Sequence, residues 1–202
     1  EVREETGLHI QVGSLLGVLD RRDKDAIALL FAAIPNKRPS KAKRKMALES
    51  GRMLCLTHCY TGYPMVRQAR ALVREGAIGR VRLIEAELSA GDPGVVAEPK
   101  DSSQRHWRFR KSSMGEGAIL GEVGSHPFNL ACFVSGLKAI RLCARMSTVV
   151  ANREVYDNAH LSLDYEDGVQ GRLWASYVAA GNDQGLCFRI FGEKGWLTWY
   201  QE

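Results

Sequence analysis

Glu122 and His126 stand four residues apart in "GAILGEVGSHPFNL", residues 117–130, among glycines and at the mouth of an apolar run. If a helix starts at or before Glu122, this spacing puts both side chains on one face. A carboxylate beside an imidazole favours the charged imidazolium and fixes the ring's orientation. Such a pair can accept a proton from a substrate hydroxyl. Pro127 biases His126 away from the α region, so the pair could instead sit in a loop ahead of the helix. Spacing alone leaves open the plainer reading of a helix-start carboxylate followed by a satisfied histidine.

Other polar clusters do less. "GEGAILG", residues 115–121, is G-x-G-x-x-x-G, one residue too long for a dinucleotide loop. It follows "FRKSSM" rather than an apolar strand, and about 20 residues on stands Arg141 rather than an acid. Its glycines suit a loop backbone passing close to a ligand or to another segment. "CLTHC", residues 55–59, lacks the further ligand pairs that zinc needs and reads as buried strand cysteines. Trp107 and Arg108 lie in a long loop, where an arginine beside an aromatic ring can hold a polyol or carboxylate or simply rest on the ring.

The elements that must position these residues come in three stretches. Residues 1–35 open with the charged helix "EVREETGL", followed by two apolar strand-like runs around "DRRDKD". "KRPSKAKRK", residues 37–45, supplies six Lys and Arg without an acid; leaving it out takes the net charge from +5 to −1. The basic pI is therefore local to a linker at 36–45, and no aromatic interleaves its charges for stacking on bases, so nucleic acid is not an expected partner. No apolar run reaches the ~18 residues of a membrane span, and no signal-like segment opens the chain. Five cysteines, odd in number and mostly within apolar runs, suit reduced thiols and a cytoplasmic setting.

From residue 46 the texture is α+β. "MLCLTH" reads as a short strand. Pro64 to Gly76 reads as a helix with Val66, Ala69, Leu72 and Val73 on one face. "RVRLIEAELS" is a strand, and residues 91–116 form a long loop with room for a short helix. Period-two alternation through 140–148, 158–165, 169–178 and 186–190, then "WLTWY", predicts five consecutive strands in an antiparallel meander. Leu142, Leu161, Leu163 and Leu173 should lie on its buried face, with "EDG" turning one hairpin.

Residues 46–202 resemble the glucose-fructose oxidoreductase / inositol dehydrogenase / MocA (Gfo/Idh/MocA) family. The carrying stretches, in the family's order, are "LTHCYTGYPMVRQARALVREGAIGRVRLIEAE", "GAILGEVGSHPFNLACFVSGL", "DNAHLSLDYEDGVQGRLWASYVA" and "FGEKGWLTW". The resemblance implies an NAD(P)-dependent oxidoreductase of sugars or polyols. It implies a mostly antiparallel open sheet with flanking helices, whose exposed face makes a homo-oligomer. The family's Gly-Asp-x-Gly-x-His motif falls on "GEVGSH", which makes His126 the acid/base and puts Glu122, one methylene longer, where the family has Asp. By the same resemblance Tyr60 lies near the nicotinamide, in the stretch 46–60 that ends the Rossmann part, and Trp107 and Arg108 lie near the substrate.

The family's Gly-rich strand–loop–helix and its Glu-Lys-Pro lysine have no counterpart here; the nearest string is "EPK" at 98–100. Binding of NAD or NADP by this chain alone is therefore doubtful. A truncated form with little independent activity is expected. Two other readings stand beside it: a non-catalytic oligomerisation or binding module, and a remnant of a Nudix-type diphosphate hydrolase. The last rests on "EVREETGL", which resembles the second half of the Nudix box, whose carboxylates bind Mg²⁺ in that family; no metal site is assigned.

Overall fold

The computed structural model describes residues 19–20, 49, 58–91, 98–99, 101–182 and 185–201. Apart from Leu19–Asp20 and His58, the Nudix-like block, the basic linker and the strand expected at "MLCLTH" lie outside the described residues.

Among the described residues, six longer strands and three helices carry the fold. After a short 3-10 turn at Cys59–Gly62 come α1 (Pro64–Arg74) and β2 (Val81–Ser89). A loop with two further 3-10 turns leads to α2 (Lys111–Met114), and a wide π turn at Leu120–Gly124 runs into α3 (Ser125–Ser135). The strands β3 (Ala139–Ser147), β4 (Asn158–Tyr165), β5 (Gln170–Ser176), β6 (Gly185–Gly192) and β7 (Trp196–Tyr200) follow. A two-residue strand, β1 (Leu19–Asp20), pairs with the outer edge of β3.

The sheet order is β1-β3-β4-β5-β2-β6-β7. Every neighbouring pair is antiparallel except β5 with β2, which run parallel. The expected uninterrupted meander is thus corrected. β3, β4 and β5 form one, but β6 does not return beside β5, because β2, from before the long loop, occupies that place. Apolar alternation reports which face of a strand is buried and is silent about its neighbour.

Helix α1 starts at Pro64, where the missing N–H costs nothing, and ends before Gly76, whose φ of +75° few side chains tolerate. Val66 and Ala69 are buried on its inner face, with Leu72 and Val73 half-buried beside them. The β4–β5 hairpin turns through Asp167 and Gly168, with φ of 60° and 73°, the left-handed pair that matches the strands' twist.

Leu161, Leu163 and Leu173 are buried as the alternation predicts, and each such burial removes about 1.5–3 kcal/mol worth of apolar surface from water. Leu142 is only half-buried. The register shifts between Ala139 and Arg141 opposite β4, so Ala139 turns inward while Ile140 is left exposed. Helix α3 packs on β2 and β6, with Leu130, Ala131 and Val134 fully buried, and α1 packs on α3. No described helix is long and apolar enough to cross a membrane.

Candidate acid/base site

Glu122 sits in the π turn and His126 is the second residue of α3, so the chain is helical through the pair. Pro127 does not expel His126 into a loop. A proline ring inside a helix clashes with the carbonyl four residues back and cannot donate a hydrogen bond. Here the turn before it is wound in the wider π form, with i→i+5 rather than i→i+4 bonding. The price in helix regularity falls on a segment of Gly121, Gly124 and Ser125, the last bonding through its Oγ to the Gly121 carbonyl at 2.9 Å.

The Glu122 carboxylate is held from two directions. Arg108 Nε donates to Oε1 at 2.7 Å, and the phenol of Tyr177 donates to Oε2 at 2.5 Å. The hydrogen bond to Glu122 raises the pKa of Arg108 against the opposing effect of burial. Tyr177 is buried at the end of β5; desolvation first, then the charge of Glu122, pushes its phenol far above the usual tyrosine range. It is therefore a permanent donor. Arg108 also lies 5.0 Å from the Trp107 ring centroid, and Trp107 is 47% exposed. Both belong to the 3-10 turn Trp107–Phe109, which is capped by the His106 side chain accepting from the Arg108 backbone N–H.

His126 faces a second group of side chains. The Tyr60 ring meets it edge-on at 5.0 Å between centroids, and His58 meets it at 5.8 Å. Tyr63 then bridges from Tyr60 to Trp199 of β7, at 5.9 and 5.7 Å. Burial lowers the pKa of His58 and raises that of Tyr60, with the neighbouring Cys59 adding to the latter.

Of the residues singled out in the sequence, Tyr60 is thus brought to His126, and Arg108, with Trp107 stacked on it, is brought to Glu122. Tyr177 was missed. It falls at an inward position of an alternating strand, and a buried tyrosine hydroxyl needs a polar partner; that requirement was the available signal. "CLTHC" also reads differently in three dimensions, because Cys59 is exposed in a 3-10 turn rather than buried in a strand.

The long loop is anchored by a buried ion-pair network. Arg153 Nε donates to Glu98 at 2.7 Å and its Nη1 to Asp157 at 3.0 Å, with all three side chains almost fully buried. Asp157 also accepts from the backbone N–H groups of Val149 and Val150, which secures the segment before β4. Phe109 lies against both Arg153 and Tyr177, so the network reaches the site through one ring.

A dinucleotide pyrophosphate is held at a helix N-terminus after a tight glycine turn. Among the described residues, α1 is entered through Tyr63 and Pro64 and α3 continues out of a π turn, so neither start offers that cradle. The described His, Cys, Asp and Glu residues also form no cluster able to hold a metal ion.

The same fold recurs in known proteins. A solved inositol dehydrogenase homolog from Azotobacter vinelandii, complexed with NADH and myo-inositol, matches with a TM-score of 0.69 and 28% identity, over 86% of this chain and 46% of that one. The uncharacterized oxidoreductase YfiI of Bacillus subtilis is 28% identical over 159 residues, covering 78% of this chain and 40% of the relative. Levoglucosan dehydrogenase of Pseudarthrobacter phenanthrenivorans is 26% identical over 167 residues, covering 71% and 41%. The chain spans about two-fifths of the length of these curated relatives. A family model described as the GFO/IDH/MocA C-terminal domain matches residues 66–198, and this chain belongs to that family.

Proposed function

We propose that this domain is the substrate side of a nicotinamide-linked dehydrogenase of sugars or polyols. The carrying observation is His126 on α3, edge-on to Tyr60 and one turn beyond a carboxylate fixed by Arg108 and Tyr177. In this reading His126 takes the proton from the substrate hydroxyl or returns it, Glu122 supplies the charge that tunes the imidazole, and Trp107 and Arg108 hold the substrate. An aromatic face with an adjacent guanidinium suits a polyol, whose C–H faces stack and whose hydroxyls accept hydrogen bonds. Named relatives act in the same direction, one complexed with myo-inositol and another a levoglucosan dehydrogenase. NAD or NADP would supply the hydride acceptor, with Tyr60, by the family resemblance, beside its nicotinamide; the cradle for its phosphates is not among the described residues.

The reading extends to assembly. The helices cover one face of the sheet, and the other is crossed by charged side chains: Arg172 and Arg189 meet Glu85 at 2.9 and 3.2 Å. We propose a second copy of the chain as the partner on that face, since a sheet carrying alternating positive and negative charges is complementary to itself in the antiparallel sense.

The test joins this domain to the complete dinucleotide-binding domain of a relative and assays polyol oxidation. Turnover is expected, and His126→Ala should remove ~10²–10⁴-fold of it, the usual span for one acid/base group. Equal turnover with alanine at 126 would refute the assignment.

A further inference from the structure

We propose that Tyr177 is a positioning residue for the acid/base pair: with Arg108 it clamps Glu122 and sets how much of the carboxylate's charge His126 feels. The inference rests on the reading of Glu122 and His126 as that pair.

The π turn makes a clamp necessary. Residues four apart lie near one face of an α-helix, a π turn with its i→i+5 bonds shifts that offset to the other side, and the Glu122 carboxylate stands at the end of a flexible side chain. The helix therefore does not by itself determine where the Glu122 carboxylate lies relative to His126. The position is set from outside, by Tyr177 just past the end of β5 and Arg108 in the long loop, with bonds of 2.5 and 2.7 Å. Short, charge-assisted bonds of this kind are strong and directional.

Tyr177 itself cannot wander. Its backbone N–H donates to the Asp157 carbonyl at 2.9 Å, and its ring takes the edge of Phe109 at 5.4 Å between centroids. Phe109 is held in turn by the Arg153 guanidinium, 4.0 Å from its centroid. The phenol oxygen is thus placed by a rigid sheet and a buried ion network rather than by a surface loop. A fixed donor on each carboxylate oxygen, one of them cationic, partly neutralises the charge that reaches the imidazole.

Several titratable groups among the described residues bear on His126. His58 and Tyr60 lie against its ring, and Glu122 is on its own helical run. Arg108 and Tyr177 bear on it through Glu122. From α1, Arg70 lies over Phe133 of α3, two turns beyond His126. The strands beneath α3 present apolar side chains such as Ile84, Phe188 and Ile190.

The clamp predicts opposite signs from its two sides. Removing Glu122 removes the negative charge, so the His126 pKa falls. Removing a donor unmasks that charge, so the His126 pKa rises. The experiment is an NMR titration of the histidine rings in the full chain, with the His126 signals assigned from a His126→Gln variant. Glu122→Gln should lower the His126 pKa. Tyr177→Phe, which keeps the ring and its packing on Phe109, should raise it by about half a unit or more, and Arg108→Gln should raise it too. A folded Tyr177→Phe protein whose His126 titrates within about a tenth of a unit of the parent overturns the clamp. If Tyr177→Phe does not fold, Arg108→Gln decides, and an unmoved or lowered His126 pKa there overturns it equally. An unmoved His126 in Glu122→Gln instead defeats the pairing of Glu122 with His126, which is the earlier reading, and the clamp falls with it.

Discussion

The guanidinium of Arg153 stacks on Phe109 at 4.0 Å from the ring centroid, and neither side chain reaches solvent. This contact joins the ion network around Glu98 and Asp157 to the ring that supports Tyr177. Arg153→Ala would take the cation from buried Asp157 and leave buried Glu98 only its longer, 3.7 Å pair with Arg105. Breaking a buried pair from one side costs about 3–5 kcal/mol, so urea unfolding should show a loss of that order. A loss under ~1 kcal/mol, the range of a surface pair, would mean that the network is solvated in solution.

His58 carries a pH prediction. Burial lowers its pKa in the folded chain, while the unfolded chain keeps the ordinary value near 6.5. The unfolded state therefore binds the proton first as pH falls. The contribution of His58 is complete above the unfolded pKa and is lost as pH drops through that value toward the folded one. Unfolding midpoints should decrease from pH 7.5 to about pH 5, and His58→Gln should flatten part of that slope. An unchanged slope in the variant would count against a buried neutral His58.

The cysteines should separate by reactivity. Burial, reinforced by the charge of Glu87, pushes the Cys187 thiol up to about 12, and burial pushes Cys132 up to about 11. The thiolate is the reactive form, so at pH 8 both should resist alkylation in the native chain and react on unfolding. Cys59 is exposed and should be modified first. Mass spectrometry after brief iodoacetamide treatment checks the order; early labelling of Cys187 would contradict its buried position.

On the open face, Glu85 stands between Arg172 and Arg189. If a second copy docks there, Glu85→Arg places three like charges in a row at the interface. Sedimentation should then shift from a multiple of the chain mass toward a single chain. Each exposed pair is worth at most ~1 kcal/mol within the monomer, so the fold should survive. A parent protein that sediments as one chain at micromolar concentration would rule out this assembly.

The local elements were legible in the sequence because each is dictated by neighbours along the chain. Pro64 and Gly76 mark α1 through a missing donor and a positive φ. The alternation of Ala159, Leu161, Leu163 and Tyr165 marks an inward strand face, and Asp167–Gly168 marks the hairpin. His126, Glu122, Tyr60, Trp107 and Arg108 could be singled out from residue types and from the family motif. The tertiary structure decided what these cannot encode locally. β2 lies between β5 and β6 because strand pairing is a contact between distant segments, which period-two patterning does not specify. The π turn arises where Pro127 meets the glycines of the preceding turn and the packing of α3 on the sheet, so the spacing of four did not reveal the true geometry of the pair. Above all, Arg108 and Tyr177 reach Glu122 from 14 residues before it and 55 after it. Only the folded sheet and its long loop bring Arg108 and Tyr177 to one carboxylate.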